Sequence, residues 1–286
     1  EERFIRNLNV FDVLKIRASY GISGNQGISA YQTLSRYGQH KYFNGGKWVT
    51  AIGPGYQSGT TGQDGIYALW SGIPNKGLKW ETTAQVDLGL DMSFFGNRLN
   101  VTFDWYDKRT SDLLRERNIA PSSGYDKMWV NDGEIRNRGI ELTIDGVAFQ
   151  NRDWRVGGTF VFSRNRNKVV DMLDSYKLSN GTVISQDSMV MGGTTGVKMV
   201  LREGGQIGDI YVNTLKTDEH GAIWVSPTGS NVAPAKDTWI YAGNSNPSYT
   251  LSWRNEFNWK GLSLGFMFNA RVGGVGVSLT QAAMDY

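Results

Sequence analysis

The stretch Ala84-Gln85-Val86-Asp87-Leu88-Gly89-Leu90-Asp91-Met92 decides the fold of this chain, because an apolar residue occupies every second position. A period of two is typical of a β-strand with one apolar and one polar face. A turn at Phe95-Gly96-Asn97 follows, and beyond it the apolar residues Leu99, Val101, Phe103 and Trp105 alternate in the same way. The sequence therefore predicts a β-hairpin over about Thr83–Lys108.

Two further hairpins and one earlier strand show the same alternation. We predict hairpins over about Arg138–Asn165 and Tyr249–Val272, and a strand over about Val13–Ile22. Seven strands are thus expected, and only a few residues connect the two strands of each hairpin. The second face of these strands carries mixed charges with Asn, Thr, Ser and Gly. That face suits a water-filled barrel lumen and the solvated surface of a soluble sandwich equally well.

The connections between hairpins are long, in contrast to the short turns within them. They comprise Ser23–Leu78, Thr110–Asn137 and Asn167–Pro247, which we expect to be loops. Long loops are uncommon in compact soluble domains, whereas outer-membrane barrels have short turns at the periplasmic end and long loops at the extracellular end. The unequal ends therefore favour an all-β fold, a segment of a transmembrane antiparallel β-barrel.

Aromatic residues bracket the apolar runs at both ends. Beside the short turns lie Phe94, Phe95, Trp154 and Trp259, and at the far strand ends lie Tyr20, Trp80 and Tyr249. Two such rows are typical of the aromatic girdles at membrane interfaces. Ordinary packing of aromatic rings at strand ends is the alternative interpretation.

The composition narrows the class of protein. Hydrophobic residues make up 40% of the chain, and the mean hydropathy is −0.39. No run approaches the ~20 apolar residues of a transmembrane helix. The net charge is +3, without a basic run, so nucleic acid is not an expected partner. Because the chain has no Cys, disulfides and thiolate metal sites are excluded.

Five ordered motifs resemble a known family, the SusC/RagA-type TonB-linked outer-membrane transporters of Bacteroidetes. They are Leu14–Gly21, Asn75–Thr83 with its Leu-Lys-Trp-Glu core, Gly133–Leu142, Gly205–Gly208 and Gly243–Pro247. Two departures from the family pattern are visible. Lys76-Gly77 replaces the commoner residues after Asn75, and the turn Gly205–Gly208 lacks the family's Pro.

The resemblance implies that residues 1–286 are part of a TonB-dependent receptor barrel, its C-terminal portion, with the plug domain and the closing strands outside this chain. It implies TonB-dependent import of nutrients across the outer membrane, with oligosaccharides as the expected substrate and peptides as the alternative. The implied partners are a SusD-like surface lipoprotein, TonB acting through the plug region, and outer-membrane lipid. Two other functions stay open: a TonB-dependent siderophore or cobalamin receptor, and a soluble secreted β-rich adhesin or lectin.

Ligand contact is expected from aromatic residues in the long connections, because flat apolar rings stack on the C–H faces of sugars. The candidates are Trp48, Tyr56, Trp70, Trp129, Trp224, Trp239 and Tyr241. Catalysis is not expected, since the two histidines, His40 and His220, are far apart and no Gly-x-Ser-x-Gly turn is present. No metal-ligand spacing or phosphate-binding loop occurs, so neither a metal nor a cofactor is expected, and a calcium ion bound by acidic loop residues stays open as the alternative.

Overall fold

A computed structural model describes residues 10–28, 37–54, 56–57, 70–73, 75–118, 125–172, 176–177, 183–184, 188–194, 196–215, 220, 234–278 and 280–281. Nineteen strands account for most of these residues. The first nine are β1 (Val13–Asn25), β2 (Tyr37–Asn44), β3 (Lys47–Pro54), β4 (Tyr56–Gln57), β5 (Trp70–Ile73), β6 (Glu81–Phe94), β7 (Leu99–Ser111), β8 (Leu114–Asn118) and β9 (Tyr125–Asn131). The others are β10 (Glu134–Gln150), β11 (Trp154–Asp171), β12 (Tyr176–Lys177), β13 (Val183–Ile184), β14 (Ser188–Thr194), β15 (Val197–Arg202), β16 (Asp209–Leu215), β17 (Pro234–Asn244), β18 (Tyr249–Trp259) and β19 (Leu262–Val272).

The chain divides into two compact units. The wall unit comprises Glu1–Gly21, Gln85–Arg109 and Ile135–Tyr286, and the loop unit comprises Ile22–Ala84 and Thr110–Glu134. Among the described residues, no helix is both long and apolar enough to cross a membrane.

Seven strands form one sheet in the order β1-β6-β7-β10-β11-β18-β19. The seven predicted strands are confirmed, and their neighbours in the sheet follow chain order. The structure extends the second hairpin at both outer ends, because β10 begins at Glu134 and β11 ends at Asp171.

The strand register separates an apolar face from a polar face. Across β11, β18 and β19, Phe160 pairs with Trp253 and Trp253 with Phe268, so these three side chains share one face. On the other face, Thr159 pairs with Arg254. Much of the apolar face is exposed, with Leu262 at 66% and Phe268 at 61%. A large exposed apolar sheet face indicates a surface that meets another apolar medium or partner.

The short turns are confirmed, and the aromatic residues beside them contact each other. Trp154 pairs with Trp259 across β11 and β18, and their rings stack with centroids 5.7 Å apart. At the first hairpin, Phe95 and Asn97 both adopt positive φ, which a tight turn requires of its central residues. At the start of β18, the ring of Tyr249 lies 5.7 Å from that of Phe162 in the middle of β11.

Side-chain bonds cross the polar face and tie neighbouring strands together. The Arg17 guanidinium donates to both carboxylate oxygens of Asp91 at 2.9 Å, and its Nη2 lies 2.8 Å from Asp104 Oδ1. Farther along the sheet, Thr159 donates to Asp145 at 2.8 Å. Because Arg17, Asp91 and Asp104 come from three consecutive strands of the sheet, this ion cluster fixes their relative register.

The expectation that the three long connections are loops is wrong for much of their described length. The last of them contains a four-stranded sheet in the wall unit, with the order β14-β15-β16-β17. In the loop unit, β2 and β3 form a hairpin, and a second sheet has the order β4-β5-β9-β8, in which β5 and β9 run parallel. Bulges at Val190/Gly192, Ile210/Tyr211 and Asn213/Leu215 break the period of two, which explains why alternation did not reveal these strands.

Candidate functional site

The four-stranded sheet of the wall unit brings aromatic side chains together on one face. Tyr211 on β16 pairs with Tyr241 on β17, and their rings meet edge to face with centroids 5.7 Å apart. Asn213 pairs with Trp239, two residues from Tyr241 on the same face of β17. On the next strand Lys198 pairs with Tyr211, and its ammonium lies 4.0 Å from the centre of the Trp239 ring. We call Tyr211, Trp239 and Tyr241 the aromatic patch.

A buried carboxylate fixes the turn beside the aromatic patch. Asp209 is only 5% exposed, and it accepts hydrogen bonds from the Gln206 amide and from Asn244 Nδ2, both at 2.8 Å. Gly208 adopts a φ of +94°, which lets the chain reverse between Gln206 and Asp209. Partial burial, and next the negative charge of Asp209, raise the pKa of the Tyr241 hydroxyl above its ordinary value. The phenol is therefore neutral at physiological pH, and its hydrogen bond to Asp209 orients the ring.

A cavity of about 440 Å³ lies next to this turn in the wall unit. Its lining combines two arginines with amide and phenol side chains, namely Arg164, Arg166, Asn165, Asn167, Gln206, Tyr241, Asn246 and Tyr249. Some of these amides are already engaged, since Asn167 accepts from the Ile207 amide and Asn246 donates to the Ile207 carbonyl. Amides with fixed orientation beside exposed rings offer both hydrogen bonds and stacking, which is the chemistry that polyhydroxylated ligands require.

Six of the seven predicted ligand-contacting aromatics fall within the described residues, and all six lie on strands instead of loops. Tyr56 is on β4, Trp70 on β5, Trp48 on β3, Trp129 on β9, and Trp239 and Tyr241 on β17. The structure describes only the backbone of Tyr56 and Trp70, and Trp224 lies outside the described residues. Among the four whose side chains the structure describes, only Trp239 and Tyr241 are brought together in one patch. Tyr211 was missed, because the bulge before it hides the alternation of β16.

In the loop unit, Trp48 has a separate aromatic partner. It pairs with Phe43 across the β2–β3 hairpin, and the ring centroids lie 5.3 Å apart in an edge-to-face arrangement. Both side chains are exposed, Phe43 at 60% and Trp48 at 55%. Trp129, in contrast, is half-buried, and its carbonyl accepts a hydrogen bond from Asn75 Nδ2 at 3.0 Å.

The carboxylates of the polar face are engaged in structural bonds. Asp87 accepts from Ser19 and from Gln85, and Asp91 accepts from Arg17. Among the described residues, no group of three or more His, Asp or Glu side chains is placed to hold a metal ion.

An antiparallel sheet with short turns at one end, long connections at the other and an exposed apolar face defines the class of outer-membrane β-barrel proteins. The comparison with protein families gives the same class. The TonB dependent receptor-like, beta-barrel family matches residues 7–277, and the chain belongs to that family. It is therefore part of a bacterial outer-membrane protein, which supports the membrane interpretation of the apolar face over the soluble adhesin.

Curated relatives come from Formosa agariphila and Bacteroides thetaiotaomicron. TonB-dependent receptor P3 of Formosa agariphila is 30% identical over 96% of this chain, which covers 27% of that protein. TonB-dependent receptor SusC of Bacteroides thetaiotaomicron is 26% identical over 84% of the chain and 23% of that protein. The chain thus spans about a quarter of the length of these relatives.

A solved structure shares the fold. The RagAB peptide importer in its closed-closed state superposes with a TM-score of 0.67 over 95% of this chain and 28% of the other, at 22% identity. At that identity the likeness concerns the fold alone. The family resemblance inferred from the ordered motifs is confirmed by these comparisons.

Proposed function

We propose that this chain forms part of the barrel wall of a TonB-dependent importer that takes up oligosaccharides across the outer membrane. In this proposal the plug domain and the closing strands belong to other parts of the same protein. TonB acts through the plug, and a SusD-like lipoprotein covers the extracellular end. The activity is transport, and the residues of this chain contribute ligand contacts instead of chemical steps.

The observation that carries the substrate proposal is the aromatic patch beside the amide-lined cavity. Tyr241 is 55% exposed, so its ring is accessible to a ligand, while its hydroxyl is held by Asp209. Trp239 is half-buried and is held from one side by Lys198. Rings that are fixed before binding lose little conformational entropy when a ligand stacks on them. The patch is therefore suited to the flat C–H faces of pyranose rings.

The polar face of the sheet supports transport of a hydrophilic ligand. Its charges are compensated by neighbours, as in the pairs Arg17–Asp91 and Arg254–Glu256. A face with paired charges and neutral amides attracts water without binding one sign of ion strongly. This pattern agrees with a lumen through which neutral sugars pass.

The ligand class is tested by binding measurements on the purified full-length transporter. Isothermal titration calorimetry with defined oligosaccharides, short peptides, a ferric siderophore and cobalamin compares the four candidate classes. We expect oligosaccharides to bind, and Tyr241→Ala to weaken that binding about three- to tenfold, the loss of one stacking contact.

Ile240→Ala is the matched control. Ile240 lies between the two patch residues on β17, is 47% exposed and points to the opposite face. Its replacement removes apolar area from the same strand and leaves glycan affinity unchanged. The proposal is wrong if only peptides or metal chelates bind, or if Tyr241→Ala and Ile240→Ala have the same effect.

A further inference from the structure

Beyond the apolar band, the apolar face of β10 and β11 continues as a row of cations. In β10 the apolar face is formed by Ile140, Leu142 and Ile144. The two preceding residues with the same spacing of two are the cations Arg138 and Arg136. In β11 the positions of Phe160 and Phe162 are followed by Arg164, Arg166 and Lys168. Successive side chains of a strand alternate between faces, so these five cations lie on the same face as the apolar band.

The lengths of the strands place this row outside the hydrocarbon region. β18 and β19 have 11 residues each, which is the length that a tilted strand needs to cross a bilayer. β10 has 17 residues and β11 has 18. Their additional residues lie at the end opposite the short Gln150–Trp154 turn and carry four of the five cations, while Arg164 is the eleventh residue of β11 and lies at the boundary. Because short turns are periplasmic in this class of barrel, the cations lie at the level of the outer leaflet's headgroups.

The five cations share one cavity. A space of about 680 Å³ in the wall unit is lined by Arg136, Arg138, Arg164, Arg166 and Lys168, together with Trp105 and Ile140 from the edge of the apolar band. No acidic side chain is among the residues that line it. Gly204 and Gln206 also line this recess.

A carboxylate on β7 engages two of the five cations. Asp107 accepts two hydrogen bonds from Arg136, at 2.8 and 2.5 Å, and one from Arg138 at 2.9 Å. Arg166 and Lys168 are exposed in the same recess. Like charges that face each other on neighbouring strands are unfavourable, so an anion bound between them is stabilised.

We propose that this recess binds a phosphate group of a glycolipid in the outer leaflet of the outer membrane. The acyl chains lie along the apolar band, Trp105 and Ile140 contact the boundary between chains and headgroup, and the phosphate accepts hydrogen bonds from Arg164, Arg166 and Lys168. Arginine and lysine together suit this ligand, since a guanidinium bonds two phosphate oxygens at once and an ammonium adds charge. The position beside an apolar band selects a lipid phosphate over a soluble one.

The experiment titrates the purified full-length transporter, in nonionic detergent, with diphosphoryl lipid A and follows bound lipid by native mass spectrometry. Dephosphorylated lipid A and inorganic phosphate form the comparison arms. We expect diphosphoryl lipid A to bind at least tenfold more tightly than the dephosphorylated form. The double variant Arg166→Gln/Lys168→Gln weakens binding about five- to thirtyfold, the loss expected for one to two cations at an anionic headgroup.

The double variant Arg152→Gln/Lys260→Gln is the matched control. It removes the same charge from exposed residues of the short β10–β11 and β18–β19 turns, at the opposite end of the sheet, and leaves lipid A affinity unchanged. Arg166→Lys keeps the charge and retains most of the affinity, which separates charge from a folding defect. Equal binding by wild type and Arg166→Gln/Lys168→Gln would overturn the proposal. Full competition by inorganic phosphate at the same concentration as the lipid would also overturn it, because the site would then take a soluble anion.

Discussion

Gly89 on β6 lies directly beneath the guanidinium of Arg17 on β1: a Cβ built on Gly89 would be 2.7 Å from Arg17 Cζ. The same Cβ would be 2.5 Å from Asp104 Oδ1 on β7. The missing side chain is therefore what lets Arg17 cross β6 and reach Asp104. A glycine in the middle of a strand weakens that strand. The presence of Gly89 is explained by the space that the ion cluster of Arg17, Asp91 and Asp104 needs at this position.

Replacement of this glycine is expected to destabilise the barrel. Gly89→Val forces Arg17 and Asp104 apart and lowers the free energy of unfolding by about 1–3 kcal/mol, the usual effect of an overpacked site. Heat-modifiable gel migration of the full-length protein measures this change as a lower transition temperature. Gly21→Val is the control, since a Cβ on Gly21 meets nothing within 4 Å. Equal transition temperatures for the two variants would contradict the role given to Gly89.

Most of the seven-stranded sheet could be predicted from the sequence, because a strand with one apolar and one polar face alternates apolar and polar residues. The predicted strands end where the two faces no longer differ in polarity. Arg136 and Arg138 on β10 are both part of the strand, yet polar residues on both faces leave no alternation to detect. The sheet of β14–β17 was missed for the related reason that its bulges shift the period.

The candidate site could be predicted only in part. Trp239 and Tyr241 were selected as aromatic residues in a long connection, but their common face depends on β17 being a strand. Asp209 was not selected, because a single acidic residue gives no sign in sequence that it will be 5% exposed and bonded on several sides. The shared face of Trp239 and Tyr241 and the burial of Asp209 depend on pairing between distant segments, which no local sequence pattern shows.

Tyr106 and Gly139 form a second close approach on the polar face. The Tyr106 ring occupies the place where a Gly139 side chain would be, and Gly139 is buried. We expect Gly139→Ala to lower the transition temperature, because its Cβ meets the Tyr106 ring. Adding Tyr106→Ser is expected to restore part of the loss, because the smaller side chain leaves room for that Cβ. A double variant whose effects simply add would show that the two residues do not interact.

Asp209 is expected to hold the turn at Gln206 to Asn244. Asp209→Ala removes the acceptor of two part-buried donors, the Gln206 amide and Asn244 Nδ2, which costs about 1 kcal/mol locally. Limited proteolysis of the full-length protein, followed by mass spectrometry, is expected to reveal new cleavage between Glu203 and Asn246. Asp209→Asn keeps one acceptor oxygen and is cleaved less. Unchanged protection in Asp209→Ala would contradict this role.

The central claim is that the apolar face of the sheet meets lipid and the polar face meets water inside a barrel. Spin labels test it most directly, and the absence of Cys from this chain makes each labelled position unique once the rest of the protein is also free of Cys. Single Cys variants at Thr159, Phe160, Val161 and Phe162 on β11 are labelled in the full-length protein in bilayers. Collisions with dissolved oxygen and with a water-soluble nickel chelate are then measured by electron paramagnetic resonance. Labels at Phe160 and Phe162 are predicted to collide more with oxygen, and labels at Thr159 and Val161 more with nickel. Equal nickel accessibility at all four positions would contradict the claim.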